Sequence, residues 1–138
     1  MRILICGDRN WQDTDSIESV ILQVYGFFEV PDNYSIIHGA ATGADSIAGK
    51  VALENEIVSV SVPAQWRKYG KSAGPKRNEF MLNRCKPDWV IAFHHDIASS
   101  KGTKHMVGIA KLAGVPTTII KNADEAGNIL NVIPESLR

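Results

Sequence analysis

A chain of 138 residues, 44% hydrophobic and 22% charged, has room for one globular domain, here 1–138, with a real core. Fifteen Lys and Arg balance fifteen Asp and Glu, so no global field draws the protein to nucleic acid or an anionic membrane. Two cysteines, Cys6 and Cys85, are too few for a disulfide framework or a cysteine zinc site and fit a reducing compartment.

Along the chain, strand and helix signals alternate. The apolar run Arg2–Cys6 predicts a first strand. A helix follows over Ser16–Phe27, where Ile17, Val20, Ile21, Val24 and Phe28 form one stripe and Asp15 with Glu18 resembles a capping box. After the Pro31-Asp32-Asn33 turn comes a strand at Tyr34–Ile37, then a helix over Gly43–Glu54. The third strand, Ile57–Val62, stops at Pro63, and Ala64–Ser72 reads as irregular or one short helical turn. Pro75 suits the first position of a helix running to Cys85, which Lys86-Pro87 ends. A strand at Asp88–Phe93, a helix over Lys101–Ala113 closed by Gly114, and a strand at Pro116–Ile120 complete the pattern. From Asn122 onward no element is expected. This alternation with short connections predicts an α/β fold: a doubly wound, Rossmann-like parallel sheet of about five strands in a three-layer α/β/α sandwich.

Four turns rich in small and polar residues fall just beyond strands: Gly7–Trp11, His38–Asp45, Ala73–Asn78 and Ser99–Thr103. In an open parallel sheet such turns gather along one edge, where helix starts favour an anion. In the second turn, Gly39 and Gly43 permit close backbone approach, and Ala44 opens the helix. Asp45, in its first turn, either stabilises the helix start or binds a ribose hydroxyl. His38, at a strand end, is packed or has a chemical role. Ser100, Lys101, Gly102 and Thr103 have the composition of a phosphate loop at a helix start.

The charge balance hides a local bias. Between Trp66 and Lys86 seven cations face only Glu79, as a solvated face or an anion site. Within it Arg77 sits in a first helical turn, unfavourable without an anion nearby, and Asn78 follows. Trp66, Tyr69 and Trp11 either stack on a base or cover the core. Gly70-Lys71-Ser72 lacks the glycine a P-loop needs, since Gln65 stands there, and His94-His95-Asp96 is poorly spaced for a metal.

Together the motifs Gly7-Asp8-Arg9-Asn10-Trp11, His38-Gly39 with Thr42–Asp45, Pro63-Ala64 with Trp66, Ala73-Gly74 with Arg77-Asn78 and Met81, and Ser100–Thr103 resemble the SLOG superfamily, in its small stand-alone YspA-type branch. The resemblance implies a Rossmann-like domain that binds nucleotides or nucleotide-derived molecules, often as a sensor. It implies a ligand site drawn from Gly7, Arg9, Asn10, Trp11, His38, Gly39, Gly43, Ala44, Asp45, Trp66, Arg77, Asn78, Ser100, Lys101, Gly102 and Thr103. LOG-type relatives in the superfamily release a base from a nucleoside monophosphate, with a catalytic Glu soon after a Gly-Thr loop. Here Lys104, His105 and Met106 follow Thr103 instead, so binding ranks above N-glycosidic cleavage and no catalytic residue is assigned. Asp45, Asp8 and Glu79 stay open as alternative carboxylates.

No cofactor or metal is expected. The expected partners are a nucleotide-derived small molecule and a second copy of the chain, as a homodimer, rather than nucleic acid or membrane. Met1-Arg2-Ile3 runs straight into a strand and the apolar runs are too short to span a bilayer, so we expect a cytoplasmic protein.

Overall fold

The computed structural model describes residues 1–29 and 31–138. Five parallel strands, β1 (Arg2–Gly7), β2 (Ser35–His38), β3 (Val58–Ser61), β4 (Trp89–Phe93) and β5 (Thr117–Ile120), pair in the order β3-β2-β1-β4-β5. Strand order therefore reverses between β1 and β4, which opens a crevice at their carboxyl ends. All strand bounds fall within one residue of expectation.

Alternate residues of β1, β2, β4 and β5 enter two cores, while β3 stays exposed. Ile3, Ile5, Ile36, Trp89, Ile91 and Phe93 pack against α1 (Thr14–Phe27) and α2 (Ala44–Glu54). On the opposite face, Leu4, Cys6, Ile37, Val90 and Ala92 pack against α5 (Gly102–Leu112) and against Met81, just past α4 (Ala73–Phe80). This is the expected three-layer α/β/α, Rossmann-like arrangement. Between β3 and α4 lie one helical turn, α3 (Trp66–Tyr69), and a 3-10 turn at Gly70–Ser72. No helix among the described residues is long and apolar enough to cross a membrane.

Three local expectations are corrected. Helix α1 starts earlier, because Asp13 rather than Asp15 caps it: the Asp13 carboxylate accepts the Ser16 N–H at 3.2 Å. The Trp11 indole locks this corner, donating to the Asp13 carbonyl and the Ser16 hydroxyl. Helix α4 begins at Ala73, which makes Pro75 its third residue, still within the turn whose N–H groups lack helical partners. From Met81 to Cys85 it widens into a π turn, ended by left-handed Lys86.

The third correction is the tail. Asn122 caps a short α6 (Ala123–Gly127), its side chain accepting the Glu125 N–H at 2.9 Å, and Glu125 in return accepts the Lys121 N–H. Ala126 within this helix, and Ile129 and Ile133 beyond it, are buried against the α1 side of the sheet. Short apolar spacing hid this segment, since three residues in as many turns show no period.

Candidate functional site

A cleft of about 1010 Å³ opens at the carboxyl edge of the sheet, over the ends of β1, β2 and β4. Twelve of the residues expected at a ligand site line it: Gly7, Arg9, Asn10, Gly39, Asp45, Trp66, Arg77, Asn78, Ser100, Lys101, Gly102 and Thr103. The other four lie behind its wall. Trp11 is buried under the α1 corner, its indole edge on Phe93 and its face stacked on His95 at 4.7 Å. His38 is packed, as one of its two readings had it: Nδ1 accepts the Ala40 N–H at 3.1 Å, and burial lowers its pKa. Ala44 is fully buried, and Gly43 anchors the loop. With φ +78°, a residue at 43 carrying a Cβ would be strained, and that Cβ would collide with the Asp8 and Arg9 carbonyls.

The two glycine-bearing loops at the cleft differ in their electrostatics. Between β2 and α2 the Gly39, Ala40, Ala41 and Ala44 donors are taken, whereas Thr42 and Gly43 N–H have no acceptor among the described residues. The Asp45 carboxylate accepts the Gly39 N–H at 3.0 Å and the Ala41 N–H at 3.4 Å, while Ala44 N–H is bound to the Asp8 carbonyl. Asp45 thus sits where an anion would bind. Burial pushes its carboxyl up to about 6, against the pull of Arg77 and of those two N–H groups.

Among the described residues, no carboxylate accepts from the loop before α5. Thr103 N–H reaches the Ser100 hydroxyl at 3.0 Å, but the N–H groups of Gly102 and Lys104 have no acceptor among the described residues. Thr103 is 6% exposed and its hydroxyl is unpartnered there. Every fully buried side-chain polar atom among the described residues has a partner, so that hydroxyl opens to the cleft.

Arg77 holds the first of these loops. Its Nη1 donates to the Gly39 carbonyl and its Nε to Asn78 Oδ1 at 2.9 Å, leaving guanidinium N–H groups for a ligand. Burial lowers its pKa, with Asp45 acting in the opposite sense. The ion pairs among the described residues join Arg2 to Asp88, Lys50 to Glu54 and Arg138 to Glu135. The cleft cations Arg9, Lys71, Arg77 and Lys101 take part in none of them.

Several lining residues were not in the expected set. Cys6, Met81 and Met106 form an apolar, sulfur-bearing floor, and His94 and His105 join the wall. Strand alternation could have placed Cys6, but His105 needed the packing of α5 on α4. The Cys6 thiol is raised well above its ordinary range, by burial first and then by Asp45. No group of three or more His, Cys, Asp or Glu among the described residues could hold a metal.

A model of the YspA, cpYpsA-related SLOG family matches residues 1–69. The chain is also 33% identical over 120 residues to the Gene 61 protein of Mycobacterium phage D29, covering 83% of this chain and 92% of that relative. The chain belongs to the YspA, cpYpsA-related SLOG family. Within the matched SLOG segment fall the Gly7–Trp11 and His38–Asp45 turns, whereas Arg77, Asn78 and the α5 loop lie beyond it. For those residues, membership of the cleft rests on the geometry alone.

Proposed function

We propose that this SLOG-family protein binds a nucleotide or nucleotide-derived molecule in the cleft, as a cytoplasmic sensor or binding protein. The observation that carries the reading is that a carboxylate accepts from one loop and, among the described residues, none accepts from the other. With the Asp45 charge on the Gly39 and Ala41 amides repelling an anion from the β2–α2 loop, a phosphate is favoured at the start of α5, near Lys101 and Thr103. Arg77 lies between the loops, Asp45 offers an acceptor to ribose hydroxyls, and half-exposed Trp66 offers a ring face to a base. The test is a thermal-shift panel of nucleotides. A ligand at about 100 times its dissociation constant should add roughly 2.7 kcal/mol, an effect that Arg77→Ala abolishes. No stabilisation by any nucleotide, cyclic nucleotide or ADP-ribose derivative would end the reading.

A second reading is N-glycosidic cleavage of a nucleotide. It is favoured by one observation, a buried carboxyl at the cleft whose pKa is raised to about 6 and which can hold a proton near neutrality. Chromatography for free base after incubation with nucleoside monophosphates tests it, with Asp45→Asn as the inactive control.

We also propose that a second copy of the chain covers the outer strand. Val58 and Val60 of β3 point to the α4 side yet stay 66% and 38% exposed, on a strand with one unpaired edge. Light scattering should give a dimer mass, and Val60→Lys a monomer.

A further inference from the structure

Asn78 is 4% exposed, and each of its polar positions is committed. Its Oδ1 accepts from Arg77 Nε, which can only donate, so the oxygen must face that side. Its Nδ2 donates to the Gly102 carbonyl at 3.2 Å, which can only accept, so the nitrogen must face the other. Two independent bonds therefore fix the amide in the same sense. The second N–H of Nδ2 meets His105 Nδ1 at 3.1 Å. Facing a donor, Nδ1 is the bare nitrogen of the ring, and the ring proton resides on Nε2. His105 lines the cleft together with Thr103 and Lys101.

We propose that Asn78 is a positioning residue that holds His105 as a fixed Nε2–H donor to a phosphate oxygen of the ligand. The proposal rests on the nucleotide reading and extends it, since His105 joins the site and Asn78 acts through its neighbours. Arg77 gains a second role, because its Nε–H sets the direction of the whole chain from guanidinium to amide to imidazole. A donor whose direction is set beforehand rejects a ligand group that presents its own N–H or O–H there.

The experiment is long-range 1H–15N correlation on histidine-labelled protein, above the pH range of histidine titration, with and without adenosine monophosphate. In the unmodified protein His105 should show a bare Nδ1 and a protonated Nε2. Asn78→Asp replaces the donor with an acceptor, so the proton should move to Nδ1. Adenosine monophosphate should shift His105 Nε2. His105→Gln, whose amide N–H stands in for Nε2–H, should bind within about threefold of the parent, and His105→Leu about tenfold more weakly. A proton on Nδ1 in the unmodified protein overturns the proposal whether or not N78D folds. So does nucleotide binding, seen at the Gly102 and Thr103 amides, that leaves Nε2 unmoved. If adenosine monophosphate moves no resonance, the nucleotide reading suffers, while a tautomer that reverses in N78D still supports the positioning role of Asn78.

Discussion

Asp45 and Arg77 meet on opposite sides of one residue: the carboxylate accepts the Gly39 N–H at 3.0 Å, and the guanidinium donates to the Gly39 carbonyl. They feel each other's charge without forming an ion pair within 4.0 Å. The carboxylate is thereby held away from the space above the guanidinium, which stays open to another anion.

Gly39 and Gly43 should respond differently to a methyl group. A Cβ at Gly39 collides with the Arg77 guanidinium, the far end of a flexible side chain, and lies 2.9 Å from Asp45 Oδ2. Gly39→Ala should cost about 1–2 kcal/mol of stability but remove nucleotide binding. At Gly43 both the positive φ and the collision with backbone carbonyls resist relief. Gly43→Ala should cost about 2–4 kcal/mol. Urea denaturation of both variants separates the two effects.

Stability should depend on pH through Asp45. Its carboxyl rises from 3.8 to about 6 on folding, so the folded state holds the proton more tightly than the unfolded chain does. The associated stability is therefore full below 3.8 and is lost as pH rises through about 6. The loss is roughly 2–3 kcal/mol. Asp45→Asn should flatten this slope in melting temperatures recorded from acid to neutral pH. An unchanged slope would show that the proton sits elsewhere.

Thr103→Val exchanges a hydroxyl for a methyl of similar size at a site where the hydroxyl has no partner among the described residues. Folding stability should change by less than about 1 kcal/mol. Affinity for a nucleoside monophosphate should fall about tenfold to a hundredfold, the worth of one hydrogen bond to a charged group. Calorimetric titration measures the second, and equal affinity in the two proteins would contradict it.

The tail is an integral part of the core. Ile129 is fully buried against α1. Ile129→Ala should cost about 2–5 kcal/mol, measurable in the same urea titration. A loss near zero would mean that the tail docks only loosely.

Strands β1 and β4 were legible because parallel strands at the centre of a sheet are apolar on both faces. Arg77 was singled out by a placement that needs correcting. The helix starts at Ala73 rather than Pro75, so Arg77 is its fifth residue, in the last turn rather than the first. Its place in the cleft comes from packing. What remained hidden depends on packing across the chain. Neither the filling of the Gly39–Ala41 amides by Asp45 nor the contact of Asn78 with His105 has any local signature. The cap at Asn122 with Glu125 was readable, but a five-residue helix carries too little periodicity to announce itself. In the same way, the π turn at Met81 looks like ordinary helix in sequence.

The cleft is a jaw with one stiff side. Asp8 N–H binds the Phe93 carbonyl at 2.9 Å, and Ala44 N–H binds the Asp8 carbonyl at 3.1 Å, which rivets the ends of β1 and β4 to the start of α2. Opposite them, no residue of α3 or of the following 3-10 turn is buried. Any shape adjustment on binding a ligand is expected on that second side, at Trp66, and a shift of its fluorescence would report it.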